Sequence, residues 1–169
     1  MKQAHPRSVT LWVIAVAHEE AAGHLMARID RGGYYAYVQV PTVLFLYCRS
    51  IELALKAYLI DCGMTTDELR KTRRYGHQIA KLYAEAKNRK FSAQPPFTTS
   101  EEETLLKVSA SYSDKRYEYP EHTYIGGTPP LADLAAVCRK VVFAAEQIFP
   151  MAKSDRLIRA SLERRQNEK

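Results

Sequence analysis

The stretch that decides the fold runs from Val43 to Ile60 and reads V-L-F-L-Y-C-R-S-I-E-L-A-L-K-A-Y-L-I. Its apolar residues recur at helical spacing and form two stripes along the same helix. The stripes are Leu44, Cys48, Ile51, Leu55 and Leu59, and then Leu46, Leu53, Ala57 and Ile60. Because a helix that is apolar on two sides needs neighbours on both, the segment is predicted to be the central helix of a bundle.

The charged residues of this segment are Arg49, Glu52 and Lys56, which share one narrow helix face because they are three and four residues apart. One interpretation is an internal Glu52–Lys56 pair, with Arg49 extending to solvent. The other is a polar seam that lines a functional groove. In either case the Glu52 carboxylate needs a cation. We expect Arg116, at the end of a later helix, to supply that cation, with His77 nearby.

The composition indicates a single globular domain. The chain has 169 residues, of which 46% are hydrophobic and 26% charged. Only 7 residues are glycine, which argues against an all-β fold. The net charge of +6 permits a nucleic acid or another anionic partner.

The cysteines Cys48, Cys62 and Cys138 form no C-x-x-C pair, and we interpret them as reduced thiols in a cytoplasmic protein. Their spacing does not suit zinc. No metal and no other cofactor is expected. The apolar run near the N-terminus resembles a signal segment, but its pattern continues at helical spacing and favours a helix. Charges interrupt the longest apolar stretch, so no membrane span is expected.

The fold class predicted is all-α, an up-and-down bundle of five main helices near residues 8–31, 41–62, 77–90, 100–116 and 130–149. Pro41 is placed in the first turn of the second helix. Thr65 with Glu68 predicts a capping box for a short extra helix, and Ser100 with Glu103 predicts another for the fourth main helix. Residues 1–150 form the predicted domain, and residues 151–169 form a basic C-terminal extension.

The densest positive segment spans residues 70–90, with eight Lys or Arg residues and one acid, Glu85. A solvated helix face is one interpretation. The other is a patch that faces the phosphates of a nucleic acid, because clustered cations bind the phosphate backbone. The candidate nucleic-acid contacts are Arg70, Lys71, Arg73, Arg74 and Lys81.

Three segments resemble the HEPN superfamily of small helical proteins: R-S-I-E-L-A-L-K-A-Y-L-I-D-C-G at 49–63, G-H-Q-I-A-K-L-Y-A-E-A at 76–86 and K-R-Y-E-Y-P at 115–120. The resemblance implies an all-α bundle that forms homodimers. It also implies that many relatives are metal-independent endoribonucleases of toxin–antitoxin or phage-defence systems. Their active site pairs an arginine with a histidine a few residues later, across the dimer cleft. Other members lack the pair and serve as binding or assembly modules.

Carried onto this chain, the pair would be Arg116 and His122. A histidine can act as the base near neutral pH, and an arginine can bind the phosphorane charge. Tyr117 follows the arginine, and Pro120 prevents one unbroken helix from holding both residues on one face.

Two functions therefore stay open at this point. The first is an RNA-associated protein, in one form an endoribonuclease, with a cognate antitoxin or a nucleotidyltransferase as partner. The second is a non-catalytic homodimeric module that binds a small anionic ligand or a protein partner. Its binding groove would be lined by Arg49, Glu52, Lys56, His77, Arg116 and Tyr117.

Overall fold

The computed structural model of the chain describes residues 5–29, 36–71, 75–117, 128–147 and 149. Every regular element in these ranges is a helix, so the predicted all-α class is confirmed. The helices are α1 (Pro6–Ile29), α2 (Ala36–Asp61), α3 (Thr66–Arg70), α4 (Ile79–Asn88), α5 (Thr99–Ser113) and α6 (Leu131–Glu146). Among the described residues, no helix has both the length and the apolar character needed to cross a membrane.

Helix α2 is the centre of the bundle, because it contacts α1, α4, α5 and α6. Both of its apolar stripes face protein. Leu44, Cys48, Ile51, Leu55 and Leu59 are buried, as are Leu53, Ala57 and Ile60, while Leu46 is partly buried. The prediction of a central helix with neighbours on both sides is confirmed.

One side of α2 is covered by α1 and α6. The Ser50 hydroxyl, buried between α2 and α1, donates to the carbonyl oxygen of Ala15 at 2.7 Å. The Trp12 indole donates to the carbonyl of Val142 at 3.3 Å, which joins α1 to α6. The buried Ser50 hydroxyl and the buried Trp12 indole thus each have a hydrogen-bond partner, as buried polar groups usually do.

The other side of α2 is covered by α4 and α5. Apolar residues of both helices are buried there, namely Ile79, Leu82, Tyr83, Ala86, Leu105, Val108 and Tyr112. The amide of Ala80 donates to the Ser109 hydroxyl at 2.9 Å, so the start of α4 is held by the side chain of a neighbouring helix. This arrangement brings the start of α4 and the end of α5 close to the middle of α2.

Two predicted helix starts need correction. Helix α2 begins at Ala36, so Pro41 lies inside the helix and not in its first turn. Proline lacks the amide hydrogen and costs one helical hydrogen bond. Val40, on the same turn, is partly buried against the core. Helix α5 is capped by Thr98 with Glu101, and not by Ser100 with Glu103.

The predicted capping box of α3 is confirmed, since Thr65 accepts from the amide of Glu68 and the Glu68 side chain accepts from the amide of Thr65. Helix α5 ends at Ser113, earlier than predicted. Lys115 has a φ of 57°, in the left-handed region, so the chain turns away before Arg116 can continue the helix.

The cysteine thiols are free, with Cys48 and Cys138 buried. Burial raises the pKa of Cys138 to about 12 and also raises the pKa of Cys48. Both are therefore protonated, unreactive core residues.

Candidate functional site

The most unusual side chain in the structure is Glu52, a carboxylate on the central helix with an exposed fraction of 0%. Four side chains donate hydrogen bonds to it. On Oε1 these are Lys56 Nζ at 2.6 Å and Arg49 Nη1 at 3.1 Å. On Oε2 they are Arg49 Nη1 at 3.0 Å, His77 Nδ1 at 3.1 Å and the Tyr112 hydroxyl at 2.5 Å. We call these five residues the Glu52 cluster.

Charge in the cluster keeps the carboxylate ionised. Burial by itself raises the pKa of Glu52, but the ammonium of Lys56 and the guanidinium of Arg49 outweigh it and lower the pKa below the usual value. The pKa of Tyr112 is raised by burial and by the neighbouring carboxylate. The phenol therefore keeps its proton and acts as a donor.

The ionised carboxylate also decides the tautomer of His77. Since a carboxylate can only accept, the hydrogen of the contact must sit on Nδ1, and the other ring nitrogen, Nε2, then carries a lone pair when the ring is neutral. The His77 side chain is 49% exposed, and its ring lies edge-on to Tyr112 with centroids 5.9 Å apart. Gly76, with a φ of 33°, makes the turn that places the ring there.

The position of His77 is fixed from a second direction. The Ser113 hydroxyl at the end of α5 lies 2.8 Å from the main-chain carbonyl of Ser109 and 3.2 Å from that of His77, so the two carbonyls share its one hydrogen. Backbone and ring are thus held by different helices, so the open edge of the imidazole has a defined orientation.

The Glu52 cluster borders an open pocket of about 320 Å³, a volume at the small end of ligand-binding cavities. Residues of α1, α2, α3 and the turn before α4 form its wall: Leu11, Arg49, Glu52, Leu53, Lys56, Ile60, Thr66, Leu69, Arg70, Gly76 and His77. Among the described wall residues, the cations Arg49, Lys56 and Arg70 face the single carboxylate of Glu52, which gives these residues a formal excess of two positive charges. Such a pocket favours an anion.

Of the predicted groove residues, the structure brings together Arg49, Glu52, Lys56 and His77. Arg116 is placed elsewhere, with Nη2 3.2 Å from Oδ2 of the exposed Asp114. The expected Glu52–Arg116 pair is therefore wrong.

The physical reason is the early end of α5. The residue of α5 that points to the central helix is Tyr112, and the chain turns at Lys115 before Arg116. Tyr117 is buried, with its pKa raised to about 12 by that burial, and it is not among the described residues of the pocket wall.

The predicted nucleic-acid contacts are distributed over several places. Arg70 lies on the pocket wall, and Lys71 and Lys81 are exposed. Two other cations of the basic segment are engaged with acids, Lys87 with Glu102 at 2.7 Å and Arg89 with Glu85 at 2.8 Å. Arg73, Arg74, His122 and the extension 151–169 lie outside the described residues.

Tyr112 is the member of the cluster that the sequence did not assign to the site. A signal existed, because a buried tyrosine hydroxyl usually needs a hydrogen-bond partner and Glu52 is the acidic residue within the stretch Val43–Ile60. Leu11 and Leu69 of the pocket wall gave no such signal, since they follow the ordinary apolar pattern of their helices.

A second cavity of about 330 Å³ lies beside α6 and includes Arg139, Lys140 and Phe143. The Lys140 ammonium is bound to Glu101 at 2.7 Å and to the carbonyl of Pro96 at 2.9 Å, so its charge is already balanced. Within the described part of the chain, no group of acidic, histidine and cysteine side chains is arranged to hold a metal ion.

Comparisons of the chain with protein-family models, with curated proteins and with solved structures give no match.

Proposed function

We propose that this protein is a HEPN-like helical module that binds a small anionic ligand in the pocket beside the Glu52 cluster. The observation that supports this proposal is a completely buried carboxylate that holds Arg49 and Lys56 at the wall of an open, positively charged pocket. The carboxylate has no exposed surface, whereas the side chains of Arg49 and Lys56 are 33% and 14% exposed.

Stability alone gives a weak reason for such an arrangement. Apolar residues of similar volume often replace a buried ionic cluster at no cost in stability. Clusters with perturbed pKa values at the wall of a cleft are frequent at functional sites. Here Glu52 acts as an anchor that orders two cations before a ligand arrives, which lowers the entropy lost on binding.

Arg49 and Lys56 both have N–H groups that do not contact Glu52. A guanidinium has five N–H groups and an ammonium has three. Arg49 uses Nη1 for Glu52, and Lys56 makes one contact to the same carboxylate. The remaining N–H groups are available for an anion in the pocket, where a guanidinium edge can bind two oxygens at once.

Calorimetric titration with inorganic phosphate and with short carboxylates tests this proposal. We expect Arg49→Ala to weaken binding at least about tenfold, the effect of losing one charge-assisted hydrogen bond. Lys107→Ala is the matched control, since it removes one cation from an exposed position on α5 outside the pocket wall. Equal affinity of the wild type and Arg49→Ala, or the absence of binding by any of these anions, would contradict the proposal.

An RNA-directed function is the second candidate. It is favoured by Arg70, which lies on the pocket wall and begins the basic segment, and by the exposed positions of Lys71 and Lys81. In its catalytic form Arg116 and His122 would cleave RNA in a homodimer, and a cognate antitoxin or a nucleotidyltransferase would be the natural partner. The Arg116 side chain is 47% exposed and could reach a phosphate from the surface.

Incubation of labelled single-stranded RNA with the protein in EDTA tests this candidate. Cleavage that is abolished by Arg116→Ala and by His122→Ala would support it. Intact RNA at all protein concentrations would exclude the catalytic form. A binding form would persist as an affinity that falls steeply with salt, because each phosphate contact releases a counterion.

A further inference from the structure

The wall of the pocket beside the Glu52 cluster carries a positive charge that one monovalent anion would not balance. The cations Arg49, Lys56 and Arg70 face the single carboxylate of Glu52, an excess of two charges among the described wall residues. Because electrostatic attraction grows with the charge of the ligand, this wall favours a dianion over a monoanion.

A further cation lies at the side of the pocket that α1 and α3 form. Arg7 Nη1 donates to Oγ1 of the wall residue Thr66 at 3.2 Å. Thr66 accepts in this contact, so its own O–H group can still donate to an anion. This side of the pocket therefore adds both positive charge and a neutral hydrogen-bond donor.

Arg49 and Lys56 are close enough to bind one anion together. Arg49 Nη1 lies 3.1 Å and Lys56 Nζ 2.6 Å from the same carboxylate oxygen, Oε1 of Glu52. That shared contact holds the guanidinium and the ammonium side by side at the pocket wall. A tetrahedral oxyanion, which presents several oxygens, can accept from both cations at once.

His77 adds a group of the opposite kind, a hydrogen-bond acceptor. Its Nδ1 hydrogen is committed to Glu52, so Nε2 carries a lone pair when the ring is neutral. This nitrogen has no hydrogen-bond partner among the described residues, and the His77 side chain is 49% exposed at the pocket wall. A lone pair repels an anion that is fully deprotonated, but it accepts from an anion that keeps a hydroxyl hydrogen.

Building on the function proposed above, we propose that the pocket binds free hydrogen phosphate, the phosphate dianion that keeps one P–O–H group. Its deprotonated oxygens accept from Arg49 and Lys56, and its hydroxyl donates to Nε2 of His77. Sulfate has the same charge and a similar shape but no hydrogen to donate, and the dianion of a phosphate ester has none either. The ion is smaller than the pocket of about 320 Å³, so the remaining volume stays open to solvent.

Calorimetric titration of the wild-type chain with a matched series of anions tests this assignment. The series consists of phosphate, arsenate, sulfate, methyl phosphate and acetate, at about pH 8, where a free imidazole is neutral and a phosphate ester is a dianion. We expect arsenate, which also keeps a hydroxyl, to bind about as tightly as phosphate. Sulfate and methyl phosphate should bind about fivefold more weakly, the equivalent of one net hydrogen bond. Acetate, with one charge, should bind more weakly than phosphate.

The variant His77→Asn isolates the role of the imidazole. Its amide can still donate to Glu52 from the Nδ1 side, but the Nε2 acceptor is lost. We expect the preference for phosphate over sulfate to disappear, while the affinity for sulfate does not fall. A merely structural histidine would change both affinities by the same factor. Lys107→Ala again serves as the control and should keep the wild-type preference.

The variant Arg70→Ala separates the contribution of charge from that of the acceptor. It removes one cation from the wall and leaves His77 in place. We expect the affinities for phosphate and sulfate to fall by the same factor. A loss confined to phosphate would place the discriminating contact at Arg70 and overturn the role given to His77.

The outcomes for the wild type separate this inference from the function on which it rests. Equal binding of phosphate, sulfate and methyl phosphate overturns the assignment of hydrogen phosphate and leaves anion binding intact. Binding of acetate as tight as that of phosphate overturns the argument from charge. Failure of every anion in the series to bind overturns the proposed function itself.

Discussion

Two of the buried glutamates, Glu52 on α2 and Glu19 on α1, differ in what surrounds them. Glu52 on α2 has no exposed surface and accepts hydrogen bonds from Arg49, Lys56, His77 and Tyr112. Glu19 on α1 is 7% exposed, and its carboxylate lies 3.3 Å from Nε of Arg139 on α6.

The two glutamates differ in how many side chains donate hydrogen bonds to them and in how exposed those side chains are to water. The Arg139 side chain is 61% exposed, so its pair with Glu19 is open to water and ties α1 to α6 only weakly. The donors of Glu52 come from three parts of the chain and are partly enclosed. A buried acid with one exposed partner is a helix-to-helix contact, whereas a buried acid that organises several donors at a pocket is a candidate site.

The largest difference between the two glutamates is expected on truncation. Glu52→Ala should lower the free energy of unfolding by about 3 kcal/mol, because it leaves Arg49 and Lys56 without their counter-charge and Tyr112 without its acceptor. Urea denaturation followed by circular dichroism measures the loss. A loss below about 1 kcal/mol would mean that the cluster is no more than a surface ion pair.

Removal of one donor from the cluster should have an intermediate effect. Tyr112→Phe deletes the hydroxyl that contacts Oε2 of Glu52 and keeps the ring between α5 and the core. We expect a loss of about 1.5 kcal/mol, at the lower end for a hydrogen bond to a charged group. Tyr83→Phe is the matched control, since the Tyr83 hydroxyl contacts the more exposed Glu102. A larger loss for the control would remove the distinction between the cluster and an ordinary surface contact.

A smaller difference is expected in acid. The pKa of Glu52 is lower in the folded protein than its ordinary value, despite the opposing effect of burial, so ionised Glu52 stabilises the fold at neutral pH. That contribution is present above the unfolded-state pKa of about 4.3 and is lost as the pH falls through the lower folded-state pKa. In Glu52→Gln, the free energy of unfolding should therefore depend less on pH at acidic pH than it does in the wild type. If the free energy of unfolding had the same pH dependence at acidic pH in Glu52→Gln and in the wild type, Glu52 would not be ionised in the native state.

The smallest effect is expected for the other glutamate. Glu19→Gln should change the free energy of unfolding by about 0.5 kcal/mol, because a pair with a largely exposed arginine contributes little. The same urea titration measures it, and added salt should reduce the difference further. A loss as large as that of Glu52→Ala would show that the comparison between the two glutamates is mistaken.

Much of the fold could be predicted from local patterns. The stripes of α2 and the capping box of Thr65 with Glu68 depend on residues a few positions apart, and the structure has both. The start of α2 could not be read in the same way, because proline favours the first turn of a helix and Pro41 lies inside α2, five residues after Ala36.

In the candidate site, too, some features follow from local sequence pattern and others from the packing of the helices. The sequence by itself determined that Arg49, Glu52 and Lys56 share a face, since helical geometry brings residues three and four apart together. The sequence also placed His77 near this face, but only the tertiary structure decided that the His77 ring and Tyr112 donate to Glu52 and that Arg116 does not. Those contacts join residues 60 and 25 positions apart, and they depend on where α5 ends and how the turn before α4 is placed. Packing between helices sets these features, and no local pattern specifies them.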